Sequence, residues 1–197
     1  MACRVVTAPA PVVTAADLGS EFAANPAATL VIAAVTAKYD GPNGRLGLCL
    51  GPQVLELVTA ATGCRIPLRC GPFIEVISIT VISDGADHAV DDAAYRLDPS
   101  GEVLLFGALP AVSRDWLKIQ YRAGYEPAST GPVPDPLRQA IILESRLTLQ
   151  MVDASLFIKA EEVEGVGRTE FTLPEQVSRV VEKAVDSLVS GFKVSHL

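Results

Sequence analysis

The segment from Trp116 to Gln150 constrains the fold more than any other part of the chain. Along Trp116-Leu-Lys-Ile-Gln-Tyr-Arg-Ala-Gly-Tyr125, residues Trp116, Lys118 and Gln120 fall on one side of an extended backbone and Leu117, Ile119 and Tyr121 on the other. Such alternation predicts an antiparallel strand with one face toward a core and the other toward solvent or a partner. A proline-rich loop follows, over Gly124 to Val133. Asp135 then reads as an N-cap, and Pro136 as the first helical residue, where a missing N–H costs little. Leu137, Ala140, Ile141, Glu144, Leu147 and Met151 trace a mostly apolar stripe, widened by Ile142, Leu143 and Leu149. Trp116, Tyr121, Asp135 and Pro136 are accordingly expected to be architectural.

Upstream, residues 1–13 read as a flexible arm, because Pro9 and Pro11 bar a helix interior. Thr14, with Asp17 three residues on, predicts a short helix over Ala15–Ala24. Asn25 and Pro26 predict the start of a second, over Ala27 to about Lys38, stopped by Asp40-Gly-Pro-Asn-Gly44. Val54–Ala61 suits strand or helix; the bracketing Gly51-Pro52 and Thr62-Gly63 favour strand. Phe73-Ile-Glu-Val-Ile-Ser-Ile-Thr-Val-Ile82 is rich in β-branched residues and predicts another strand, with Asp84-Gly85 as a turn. Tyr95–Leu97 and Val103–Phe106 predict two short strands. After the helix beyond Pro134, Lys159–Phe171 reads as a loop or hairpin arm. Thr172 caps a last helix over Pro174–Val194, on which Val177, Val180, Val181, Ala184, Val185, Leu188 and Val189 form one stripe.

The bulk numbers narrow the function classes. The 197 residues are long enough for a buried core, and 49% are hydrophobic against 20% charged. A formal net charge of -7 opposes a phosphate-binding surface, which needs clustered Lys and Arg. No run approaches the roughly 20 apolar residues of a membrane span, so no membrane partner is expected. The N-terminus lacks the long apolar centre of a signal peptide, which predicts synthesis in the cytoplasm. Cys3, Cys49, Cys64 and Cys70 are then expected to be reduced and mostly packed.

The chemistry-bearing residues are sparse. Cys64 and Cys70 lack the second pair or nearby His of a zinc site. Asp84, Asp87, Asp91 and Asp92 lack the alternating ligands and terminal Glu of a calcium loop, and read as a solvated acidic turn. Glu161, Glu162 and Glu164 read as a solvated face. Gly165-Val166-Gly167 lacks the third glycine and the frame of a dinucleotide site. Of two histidines, His88 sits among carboxylates and His196 is penultimate. A small hydrolase using Cys64 or Cys70 with His88 is the enzymatic alternative, but nothing supplies the third group that would orient such a pair. No enzyme, cofactor or metal is expected.

Several segments together resemble the head–tail connector (neck adaptor, head completion) family of tailed bacteriophages. Gly71-Pro-Phe-Ile-Glu-Val-Ile-Ser-Ile-Thr-Val81 is similar to a proline-led strand of that family, followed by Asp84-Gly85-Ala86 and Tyr95-Arg96-Leu97. Ile119-Gln-Tyr-Arg-Ala-Gly-Tyr125 and Val133-Pro-Asp-Pro-Leu-Arg-Gln-Ala-Ile-Ile142 resemble its next two elements in order and spacing. The chain departs from the family pattern at Ser145-Arg-Leu-Thr-Leu149.

The resemblance implies an α+β fold: a helical bundle of about four helices carrying an inserted antiparallel β segment. The whole chain would be one connector domain, with an arm (1–13), N-terminal helices (14–40), a β-rich insertion (45–125) and C-terminal helices (134–197). It further implies a virion structural protein of the neck that packs with copies of itself into a ring, dodecameric by resemblance to portal symmetry. The ring would join the portal to a stopper or tail protein and extend the DNA channel, through which DNA passes without specific binding. The portal contact is expected on the C-terminal segment, at Val177, Val181, Leu188, Phe192 and Leu197. A stopper or tail-terminator component of the same neck is the alternative, in an infectious phage or a gene transfer agent.

Overall fold

A computed structural model describes residues 2–60, 64–83, 85–98, 103–107, 116–153, 160–163, 167–170 and 174–193. Ten strands are described: β1 (Ala2–Thr7), β2 (Gln53–Ala60), β3 (Arg65–Pro67), β4 (Phe73–Ser83), β5 (Ala86–Ala89), β6 (Tyr95–Leu97), β7 (Val103–Phe106), β8 (Trp116–Ala123), β9 (Ala160–Val163) and β10 (Gly167–Glu170). Three α-helices accompany them: α1 (Pro26–Tyr39), α2 (Asp135–Asp153) and α3 (Pro174–Val189). The chain divides into two compact units, one of Met1–Val12, Ala37–Val133 and Lys193–Leu197, the other of Val13–Thr36 and Pro134–Phe192.

The first unit is built on two antiparallel sheets. Five strands lie in the order β1-β2-β8-β4-β5, and three in the order β3-β7-β6. The alternation read from Trp116 onward sets the middle of the larger sheet. Leu117, Ile119, Tyr121 and Ala123 of β8 are fully buried, and join Leu55, Leu57, Ile79 and Val81 from the flanking strands. Ile66, Leu104 and Phe106 of the smaller sheet close the same core. Each such Leu or Ile contributes roughly 1.5–3 kcal/mol by leaving water.

The opposite face of the larger sheet is polar and paired. Arg4, Glu56, Gln120 and Ser78 stand in register across four strands. Glu56 is nearly buried even there, because Arg4 Nε donates to it at 2.8 Å and Gln120 Nε2 at 3.1 Å. Arg122 bonds both Glu75 and Glu126, and Lys118 bonds Asp87.

One glycine fixes the end of β8. Gly124 has φ +131°, and a Cβ there would stand 2.1 Å from the carbonyl oxygen of Gly51. Its N–H donates to Pro72 O at 2.7 Å, so the backbones meet where no side chain fits.

In the second unit Asn25 caps α1 as its sequence predicts, its Oδ1 accepting from Ala27 N at 2.9 Å. Ala28, Ile32 and Val35 of α1 are buried, and α3 packs along α2. The strands β9 and β10 form an antiparallel pair.

Three expectations are corrected. The body is not a bundle of about four helices with a β insertion: eight strands in two sheets form the larger framework, beside three α-helices. The helix expected over Ala15–Ala24 is a single 3-10 turn, Ala15–Leu18, because Gly19 leaves the helical region at φ +119°. Nor is the N-terminus an arm. Ala2–Thr7 precedes both prolines, is β-prone through Val5 and Val6, and pairs along β2.

Candidate assembly interface

The apolar stripe of α3 divides into two faces. Val185 and Val189 are buried, and Ser178 Oγ donates to Met151 Sδ of α2 at 3.9 Å. Val177 and Val180 remain 39% and 68% exposed, with Ala184 exposed beside them. Spacing of three and four residues places these on one side of the helix. The expected portal residues are therefore not equivalent: Val177 is exposed, while Val181, Leu188 and Phe192 are half-buried. Leu197 and the Thr172 cap lie outside the described residues.

A second apolar face belongs to α1. No charged residue occurs between Pro26 and Ala37, and Leu30 is 74% exposed, with Ala33 and Ala34 exposed alongside. A solvent-facing helix surface normally carries charge, and this one carries none. In the sheet unit Trp116 and Ile77 are each 49% exposed.

The four architectural expectations separate. Trp116 is half-exposed at the start of β8, whereas Tyr121 is fully buried. The Tyr121 hydroxyl donates to Arg69 O at 2.7 Å and accepts from Arg69 N at 3.3 Å. Pro134 O accepts from both Leu137 N and Arg138 N, so Pro134 takes the cap position and α2 opens at Asp135, one residue earlier than expected. Asp135 then lies in the first turn, where its charge still favours the helix dipole.

The residues considered for chemistry are dispersed. Cys64 is exposed, Cys70 is buried, and His88 is exposed on the edge strand β5 opposite Val81. Among the described residues no hydrogen bond joins His88 to either cysteine, and no group of three His, Cys, Asp or Glu could hold a metal ion. The acidic loop has structural partners instead. Asp91 Oδ1 accepts from Ala93 N at 2.8 Å, Asp98 Oδ1 from Val103 N at 3.1 Å, and Asp92 Oδ1 from the Tyr95 hydroxyl at 2.8 Å. Desolvation and then the Asp92 bond push the Tyr95 phenol up to about 12. Asp84, His196, Glu164, Gly165 and Val166 lie outside the described residues. No described helix is long and apolar enough to cross a membrane.

No protein-family model and no curated protein matches the sequence. Solved structures do. A chain in the neck of a native gene transfer agent particle, computed with C12 symmetry, aligns over 100% of this chain and 97% of its own, at a TM-score of 0.66 and 20% identity. This chain has the fold of that neck chain. A chain in the neck of the empty particle, computed with C6 symmetry, gives 0.66 and 19% at the same coverage. One in the native virion gives 0.64 and 19%.

The fold gives two positions of the Ile119–Tyr125 motif a structural role. Gly124 of Ala123-Gly-Tyr125 is the position where the chain leaving β8 meets Gly51, and Tyr121 three residues earlier clamps Arg69. Reading the sequence missed one grouping: Cys3, Cys49 and Cys70 come together beside Tyr121. Their positions along the chain carry no signal for it, since Cys3 arrives only through the pairing of β1 with β2.

Proposed function

We propose that this chain is a structural protein of the neck of a tailed-phage or gene-transfer-agent particle. Copies of it would form a closed ring that joins the portal to the stopper or tail and extends the DNA channel. The observation that carries the reading is the full-length fold match to neck chains of a particle with rotational symmetry. Two apolar helix faces exposed among the described residues, on α1 and α3, support it, because a ring subunit must bury surface against neighbours. A net charge of -7 suits a conduit that lets DNA pass without gripping it. No catalytic role is proposed.

We assign the exposed side of α3, at Val177 and Val180, to the portal, with the half-buried Val181 and Leu188 beside it. Co-expression with the cognate portal and imaging of the complex tests the role. A ring seated on the portal's outer face is expected; density only beyond a second ring would make the chain a stopper, and no ring would end the proposal. The double substitution Val177→Asp, Val180→Asp should abolish attachment while leaving the melting temperature within a few degrees, since both side chains face solvent.

A further inference from the structure

Three thiols from distant parts of the chain meet at one edge of the sheet core. Cys3 lies on the edge strand β1 and is half-exposed; Cys49 and Cys70 are 0% and 2% exposed. Cys3 packs against the core cluster that holds both Cys49 and Cys70. Cys3 Sγ stands 3.7 Å from the Tyr121 hydroxyl, the group that grips Arg69.

Cys70 is held in an uncommon conformation. Its φ of 61° is left-handed, a region that non-glycine residues occupy only when their surroundings impose it. The restraints sit on both sides: Arg69 is bonded through N and O to Tyr121, and Gly71 O accepts from Cys49 N at 2.9 Å.

We propose that Cys3 and Cys70 are a disulfide-forming pair, which fastens strand β1 to the loop leading into β4. The oxidant is a low-molecular-weight disulfide such as oxidised glutathione. The Cys3 thiolate, the accessible one, attacks it and forms a mixed disulfide, and the first released thiolate takes up the proton lost from Cys3. The Cys70 thiolate then attacks Cys3 Sγ, making the Cys3–Cys70 bond and expelling the second small thiolate, which takes up the Cys70 proton. Two protein thiols are oxidised, and one small disulfide is reduced to two thiols.

The surroundings set the pace of this exchange. The neighbouring Cys70 thiol and burial hold the Cys3 thiol well above its ordinary value; Cys3 lowers Cys70 in turn, but Cys49 and burial together outweigh it and push Cys70 up to about 12. The Tyr121 hydroxyl and the Arg69 guanidinium act on Cys3 in the opposite direction, and the guanidinium does so on Cys70. Exchange should therefore be slow at neutral pH and quicken by about tenfold per pH unit between 7 and 9. The inference rests on the neck reading only for where an oxidant is met, outside the cell after particle release.

The purified full-length chain, carrying Cys64→Ser to remove the exposed thiol, would be equilibrated with reduced and oxidised glutathione, alkylated and peptide-mapped. The expected result is a Cys3–Cys70 cross-linked peptide with Cys49 alkylated, and a melting temperature raised by roughly 5 °C that reductant reverses. Cys3→Ser, at the half-exposed edge, should melt like the reduced parent and show no oxidant-dependent shift. A Cys49–Cys70 link, or full alkylation of Cys3 under strongly oxidising buffer, would overturn the proposal. Because this reads the monomer, it fails independently of any ring on a portal.

Discussion

Tyr121 holds Arg69 by both of its backbone polar atoms, donating to the carbonyl at 2.7 Å and accepting from the N–H at 3.3 Å. The phenol is fully buried and lies in an offset stack with Phe73, ring centroids 6.3 Å apart. Burial raises its pKa far above the ordinary tyrosine range. Tyr121→Phe would keep the ring and remove the clamp, leaving two backbone groups without their partner. The expected loss is about 1–3 kcal/mol, read as a lower urea midpoint at unchanged m-value.

Gly124→Ala should be far more damaging than its size suggests. The added methyl would collide with the Gly51 carbonyl, and φ +131° is unfavourable for any L side chain. A loss of at least about 2 kcal/mol, or failure to accumulate as soluble protein, is expected. Wild-type stability in the alanine variant would refute the close approach.

Ser145 offers a change in the other direction. It is fully buried on α2, and its hydroxyl has no hydrogen-bond partner among the described residues. Ser145→Ala removes an unsatisfied polar atom and raises helix propensity, which together should add about 1 kcal/mol by denaturant titration.

The acid response of the helical unit should depend on Asp17. Its carboxylate accepts from Thr14 N at 2.7 Å and from the Thr14 hydroxyl at 2.8 Å, and these bonds hold its pKa below the ordinary aspartate value. A depressed folded pKa gives stability that is present above the unfolded pKa and lost as pH falls through the folded one. Melting temperatures between pH 6 and pH 3 should fall more steeply for the parent than for Asp17→Asn. Parallel curves would remove Asp17 from the account.

Strand β8 was legible because its period is local: a buried residue at every second position needs no knowledge of what it faces. The start of α2 was legible to within one residue, since Pro134 and Pro136 both suit a first turn and only the carbonyl bonding separates them. The stripe of α2 was legible in part: Leu137, Ala140, Ile141 and Leu149 are buried, but the row between them runs through Ser145, while Glu144 and Met151 are half-buried, because packing selected a serine over flanking residues of greater hydrophobicity. On α1, where apolar residues surround the helix, periodicity could not say which side faces inward. The thiol grouping and the fitted backbones at Gly124 are products of strand pairing, which a linear reading does not contain.

The place of β8 in the larger sheet also governs when that sheet can exist. Both of its neighbours, β2 and β4, precede it in the chain, and Gln120 bonds Glu56 across 64 positions of sequence. A growing polypeptide therefore holds β1 with β2, and β4 with β5, as separate hairpin-sized pieces until Trp116–Ala123 leaves the ribosome. Isolated two-stranded pieces are marginal in water, and long loop closures slow their union. Translation reaches the strand that unites them only after more than half of the polypeptide has been made, so the protein is aggregation-prone until that moment and cooperative after it.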